Sequence, residues 1–234
     1  MSPPQEGRRA LWDELNDLQR LLLEMAGLVE GLVQTAVAAF LRRDPETAAW
    51  AKQADNRIDE LEVALDEAGL ELLALYQPMA RDLRHVVAAL KVANDLERVG
   101  DHGVNIAKAA RRLSAMPGMP DLPELDEMAE IARGMLSDAL ASYTARDSEM
   151  ARVVCRRDAR VDALKNSLFR ILLTHMVEDP RRISPSLEVL LVAQNLERIA
   201  DLSTNIAEDV VFLVEGRTIK HHPDAKGLPG GAVT

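Results

Sequence analysis

The chain holds 234 residues, with 28 Lys and Arg against 38 Asp and Glu for a formal charge of −10, and it is 47% apolar but only 3% aromatic. That length supports one large or two small self-sufficient domains, while the acid excess and scarcity of rings argue against a nucleic-acid partner, which needs a basic groove and stacking surfaces. The single cysteine, Cys155, excludes an internal disulfide framework and a cysteine-based zinc site.

Leu and Ala together fill 67 positions, a composition that favours closely packed helices over sheets. The first helix is marked by Leu11, Leu15, Leu18, Leu22, Met25, Val29, Leu32, Ala36 and Ala39, which step by threes and fours along one seam. Asp44 followed by Pro45 predicts the start of a second helix, with Asp44 capping and Pro45 in the first turn. Its seam is Ala51, Ala54, Ile58, Leu61, Leu65, Ala68, Leu72 and Leu75, and Gln77-Pro78 ends it. A third helix is predicted over about 79–114, buried along Ala89, Val92, Leu96, Val99, Ile106, Ala110 and Leu113.

The prolines of 116–123 interrupt the pattern, which then restarts with helices predicted over about 124–144, 148–176 and 185–215. The expected organisation is a first three-helix repeat over 8–115, a Pro-rich linker over 116–123, a second repeat over 124–215 and a disordered tail over 216–234. No uncharged run approaches the 18 residues of a membrane span. The longest, 31–41, has eleven and includes Gln34 and Thr35. The N-terminus also lacks the basic-then-apolar layout of a secretion signal, so the chain is expected to be cytoplasmic.

The restart is an internal repeat. Leu96-Glu97-Arg98 and Asp101 recur as Leu196-Glu197-Arg198 and Asp201, and Asn105-Ile106-Ala107 recurs as Asn205-Ile206-Ala207, all displaced by one hundred. Asp55, Arg57 and Asp59 recur at a displacement of 103 as Asp158, Arg160 and Asp162. Seven identities in the twelve positions 96–107 exceed what shared helical composition gives. The simplest architecture is all-α, two tandem pseudo-symmetric three-helix bundles built from six long helices.

Each repeat carries acids four residues apart: Asp55 with Asp59, Glu97 with Asp101, Asp158 with Asp162, and Glu197 with Asp201. Such pairs stand one turn above one another and repel by a few tenths of a kcal/mol. On a single helix an acidic row opposite an apolar seam is ordinarily a solvated face. Its recurrence at matching places, with Asn105 and Asn205 beside it, points instead to a covering cation. Carboxylate and amide oxygens suit hard ions such as Mg, Ca, Mn or Fe, with Zn left open. The acid row of the second helix, Asp55, Asp59, Glu62 and Asp66, is echoed only at its start by Asp158 and Asp162, and Lys165 stands where the first half has Glu62. No nucleophile elbow, phosphate loop, dinucleotide motif or zinc-protease helix occurs, and the Glu-x-x-His set of di-iron bundles is missing.

On these residues the sequence resembles the PhoU family of phosphate-transport regulators. The resemblance spans roughly 11–215. It rests on Asp55-x-x-Ile58-Asp59, Gln77-Pro78-Met-Ala-Arg-Asp82-Leu83-Arg84, the run from Asp95 to Asn105, Met176-Val-Glu-Asp179-Pro180-Arg181, and the run from Asn195 to Asn205. It implies that the Glu/Asp-x-x-x-Asp motifs bind metal ions or multinuclear clusters, iron among them. The motifs map onto Asp55, Asp59, Glu97 and Asp101, then onto Asp158, Asp162, Glu197 and Asp201, with Asn105 and Asn205 as further contacts. It also implies a non-enzymatic negative regulator of phosphate uptake, dimeric or larger, that links the ATPase subunit of the phosphate ABC transporter to the membrane sensor histidine kinase. A carboxylate-bridged metalloenzyme and a metal-free structural adaptor are the alternatives. Lys165, Ala200 and Leu202 depart from the first half's pattern, so the first site is expected to bind more tightly.

Overall fold

The computed structural model describes the backbone of residues 5–219, and the side chains of that span except those of 5–8 and 47–49. Six helices fill it: α1 (Gln5–Arg42), α2 (Thr47–Tyr76), α3 (Arg81–Ser114), α4 (Pro123–Ala145), α5 (Ser148–Glu178) and α6 (Ile183–Glu215), with one 3₁₀ turn at Pro180–Arg182 ahead of α6. The described residues contain no strand, so the all-α expectation holds. Within each half the three helices pack on one another, α1 with α2 and α3, and α4 with α5 and α6.

The predicted seams are the buried ones in α1 and α3, where every named position is sealed from solvent. In α2, Leu75 is 67% exposed, a correction to the predicted seam. Its helical neighbour Tyr76 packs against the core in its place. The start of α2 also differs from expectation. Asp44 Oδ1 accepts from the Glu46 amide at 3.0 Å and so closes a turn ahead of the helix, which begins at Thr47 with no side-chain cap. Asp147, its counterpart by repeat, does cap α5, accepting from the amides of Glu149 and Met150.

The halves meet mainly along α3 and α6 and share one continuous apolar core. Three cross-links set their direction: Lys91 to Asp209 at 3.3 Å, His102 to Asn195 at 2.9 Å, and Arg112 to both carboxylate oxygens of Glu188 at 2.7 and 2.8 Å. Partners descend in number along α6 as they rise along α3, so the two helices run antiparallel, with a pseudo-two-fold near Gly100 and Ala200. In both ion pairs α3 supplies the cation and α6 the acid. This polarity suits α3 to α6 and not to a second α3, a device that fixes register.

Two expectations are corrected by α1. The four-residue spacing of Gly27 and Gly31 predicts a close helix contact, yet a methyl added at either would meet nothing within 4 Å. Nor is the exclusion of a membrane-spanning helix sustained on composition. α1 is long and apolar enough to pass that test, because one or two charges inside a window do not spoil its average. In the fold its apolar stripe, from Leu18 and Leu22 to Ala36, is buried in the bundle core. Residues 220–234, which hold most of the expected tail and the His221-His222 pair, lie outside the described residues.

Candidate metal centre

Helices α2 and α3 cross where Gly100 has no side chain. A Cβ there would lie 3.3 Å from Ile58 Cδ1 and 4.0 Å from Asp55 Oδ1. The close approach sets the acid row of α2 against that of α3. Asp55, Glu62 and Glu97 are half-buried, while Asp59 and Asp101 are exposed at the rim.

The carboxyls in this cluster feel one another. Glu97 is pushed above the ordinary carboxylate range by burial, then by Asp101, Glu62, Asp59 and Asp55 in turn. Asp55 is raised by burial, Asp59 and Asp101, with Lys108 opposing. Glu62 is raised by burial and by Asp66 and Asp59. Each ionised member makes the others harder to ionise, which is the electrostatic setting a cation relieves. The only arginine of this stretch of α2, Arg57, is turned away and pairs with Glu24 at 2.8 Å and Glu60 at 2.9 Å.

The second cluster uses the same backbone places with different charges. Asp201 is raised by burial and Glu197, with a smaller push from Asp162, but Arg198 lowers it. Arg198 reaches Asp201 Oδ2 at 3.1 Å and Glu197 Oε2 at 3.6 Å, and Lys165 reaches Glu197 Oε1 at 3.1 Å. In α3 the matching Arg98 instead leans back toward Asp95 at 3.8 Å. The repeat is otherwise close: Arg160 bonds Glu127 at 2.8 Å, just as Arg57 bonds Glu24.

The structure thus brings Asp55, Asp59, Glu97 and Asp101 to one helix–helix face and adds Glu62, which the four-apart spacing left out although it lies three residues beyond Asp59. In the second half it couples Asp162, Glu197 and Asp201 electrostatically. Asp158 is half-buried at its matching place on α5, Asn205 is half-buried on α6, and Asn105 is exposed on α3. The donor set is all oxygen and fits a hard cation. Among the described residues, no three acid, histidine or cysteine side chains converge tightly enough as they stand to enclose an ion. Closure of either cluster on a metal therefore requires rotamer changes, which these partly exposed side chains permit.

A duplicated three-helix fold with carboxylates facing each other across the second and third helix of the unit defines an all-α bundle class that pairs acidic helix faces. The PhoU domain family model matches residues 22–110 and again 125–210, and the chain belongs to the PhoU family. It is 39% identical over 220 residues to the phosphate-specific transport system accessory protein PhoU homolog of Zymomonas mobilis, covering 94% of this chain and 93% of that one. The homolog of the same name from Caulobacter vibrioides is 41% identical over 208 residues, with 88% and 90% covered. The crystal structure of PhoU from Pseudomonas aeruginosa superposes with a TM-score of 0.85 at 36% identity, covering 88% of this chain and 99% of that one. The phosphate transport system regulatory protein PhoU from Streptococcus pneumoniae gives 0.82 at 28% identity, with 90% and 99% covered.

Proposed function

We propose that this chain is a non-enzymatic, cytoplasmic repressor of phosphate uptake and of the phosphate-starvation response. It acts by contact with the ATPase subunit of the phosphate ABC transporter and with the sensor histidine kinase, and it carries metal ions on its acidic faces. The accessory and regulatory names of its relatives support the role. The observation that carries the metal reading is the gathering of the α2 and α3 acid rows at the Gly100 crossing, where burial first and then neighbouring carboxylates push Asp55, Glu62 and Glu97 upward, since repulsion at a helix crossing is a standing cost unless a cation offsets it.

Asp55, Asp59 and Glu62 would supply oxygens from α2, and Glu97, Asp101 and Asn105 from α3. Asp158, Asp162, Glu197, Asp201 and Asn205 would do so in the second half. A bound divalent ion supplies charge neutralisation and a cross-link between two helices, which stiffens the surface that partners read. His85 and His102, engaged with Arg146 and Asn195, take no part in either cluster.

The test is a deletion strain grown in ample phosphate. Uptake and starvation genes should stay switched on, the intact gene should restore repression, and a Glu97→Gln/Asp101→Asn double variant should restore it incompletely. Normal repression in the deletion strain contradicts the role.

A further inference from the structure

The end of the molecule where the first turns of α1 and α3 meet the last turns of α4 and α6 holds a cavity of about 400 Å³. It is lined by Arg81, Arg84 and His85 of α3, by Arg146 just past α4, and by Trp12 and Asn16 of α1. Three guanidiniums thus face one lining carboxylate, Asp82, in a chain whose net charge is −10. Among the described residues none of the three arginines makes a salt bridge, and Arg84 Nε is buried without a hydrogen-bond partner.

The opposite end of the bundle supplies an internal control. Arg43 is the repeat counterpart of Arg146, and both sit in left-handed backbone at the close of the first helix of their half, with φ of 56° and 53°. Arg43 Nη1 is satisfied by two oxygens, donating to Met116 O at 3.2 Å and Pro117 O at 3.0 Å where the linker folds over it. Arg146 meets no such carbonyls. Among the described residues the one hydrogen-bond partner of its guanidinium is His85 Nδ1 at 3.4 Å. At the positions matching Arg84 and His85 the second half has Ser184 and Pro185, so the extra donors belong to one end only.

An arginine always donates, so His85 accepts through Nδ1 and carries its proton on Nε2. Burial, followed by Arg146, holds its pKa down to about 4, and the ring stays neutral near pH 7. The start of the 34-residue α3 adds its positive end.

We propose that this cavity is a binding site for a phosphate-type oxoanion, free or as the monoester of a small molecule, held by Arg84, Arg146 and Arg81. Planar guanidinium forks match tetrahedral oxygens two at a time, and one dianion relieves the repulsion among the three cations. The cavity exceeds the needs of inorganic phosphate alone, and Trp12 at its wall offers an apolar face to an ester's organic part. The site is separate from both acidic clusters and stands whether or not they hold metal.

The experiment is calorimetric titration of the full chain, with chelator present to remove divalent ions, using inorganic phosphate in one series and a nucleoside monophosphate in another. We expect one site per chain, weakened about tenfold or more in Arg84→Gln and in Arg146→Gln, and unchanged in Arg43→Gln. Binding of phosphate itself identifies the free ion as ligand, whereas binding of the nucleotide alone identifies the ester; both uphold the site. In the wild-type protein, which avoids any folding defect of a variant, the His85 ring signals should move on saturation and its pKa should rise. No binding of either probe at about 10 mM, or binding indifferent to both Arg84→Gln and Arg146→Gln, overturns the proposal.

Discussion

The two acidic clusters occupy matching places in one duplicated fold, yet they differ in who neutralises them. Around Glu97 the near neighbours are carboxylates, with Lys108 felt only at Asp55. Around Glu197 stand Lys165 and Arg198, and the latter also holds Asp201. One half keeps most of its repulsion while the other offsets part of it internally. The comparison teaches that a repeated motif is not a repeated charge: the exchange of Glu62 for Lys165 helps to separate a face of mutually repelling carboxylates from one already partly neutralised. Arg98 and Arg198 make the same point. They are identical residues at matching positions, but with Asp95 within reach the first leans back along its own helix, and in the second half, where Asn195 replaces that acid, the arginine turns to the cluster.

The strongest way to break the comparison is to make the first cluster resemble the second. Glu62→Lys should lower Mn²⁺ affinity at the first cluster about a hundredfold, equivalent to about 2.7 kcal/mol, read by titration calorimetry; an unchanged affinity would show that Glu62 lies outside the binding set. The reverse exchange, Lys165→Glu, should raise affinity at the second cluster about tenfold, at a stability cost under about 1 kcal/mol for the lost partly exposed pair.

A subtler difference lies at the helix crossings. Ile58 faces Gly100, and the matching pair is Val161 with Ala200, so one methyl has moved from one helix to the other. Gly100→Ala alone gains helix propensity but crowds Ile58, whereas in an Ile58→Val background the crowding goes. Thermal unfolding of the four proteins of this cycle should give a favourable coupling of about 1 kcal/mol. Additive effects would show that the crossing is slack.

The smallest effect is in pH. Asp55, Glu62 and Glu97 have folded-state pKa values raised above their unfolded ones. The folded state therefore binds protons more readily, and stability present at low pH is lost as pH rises from about 4 through the raised folded values. The cluster should accordingly give metal-free protein a stability contribution that declines as pH rises through those raised values. That slope is opposite to that of His85, whose pKa is held down to about 4, so it is read as the difference in urea midpoints between wild type and Glu97→Gln. Glu97→Gln should flatten that slope. An unchanged slope in Glu97→Gln would mean that Glu97 does not carry this proton uptake.

Helix number, the duplication and the buried seams were legible because burial on a helix repeats every three to four residues. Leu75 was misplaced for the same reason, since a step of four to Tyr76 is as regular as a step of three. What the pattern could not carry was contact between helices. The turn of Lys165 to Glu197, the retreat of Arg57 to Glu24 and the linker carbonyls over Arg43 join residues thirty to seventy apart in sequence. Glu62 was visible in the acid row but breaks the four-residue spacing. The arginines of the end cavity come from the start of α3 and the turn after α4, and only the fold gathers them.

The most direct measurement is a crystal structure of protein soaked with Mn²⁺, with anomalous maps taken over a series of concentrations. The account predicts anomalous peaks between α2 and α3, in contact with Glu97 and Asp101, at concentrations that leave the Glu197 and Asp201 face empty. Peaks that fill both faces together, or none at either at saturation, would contradict it.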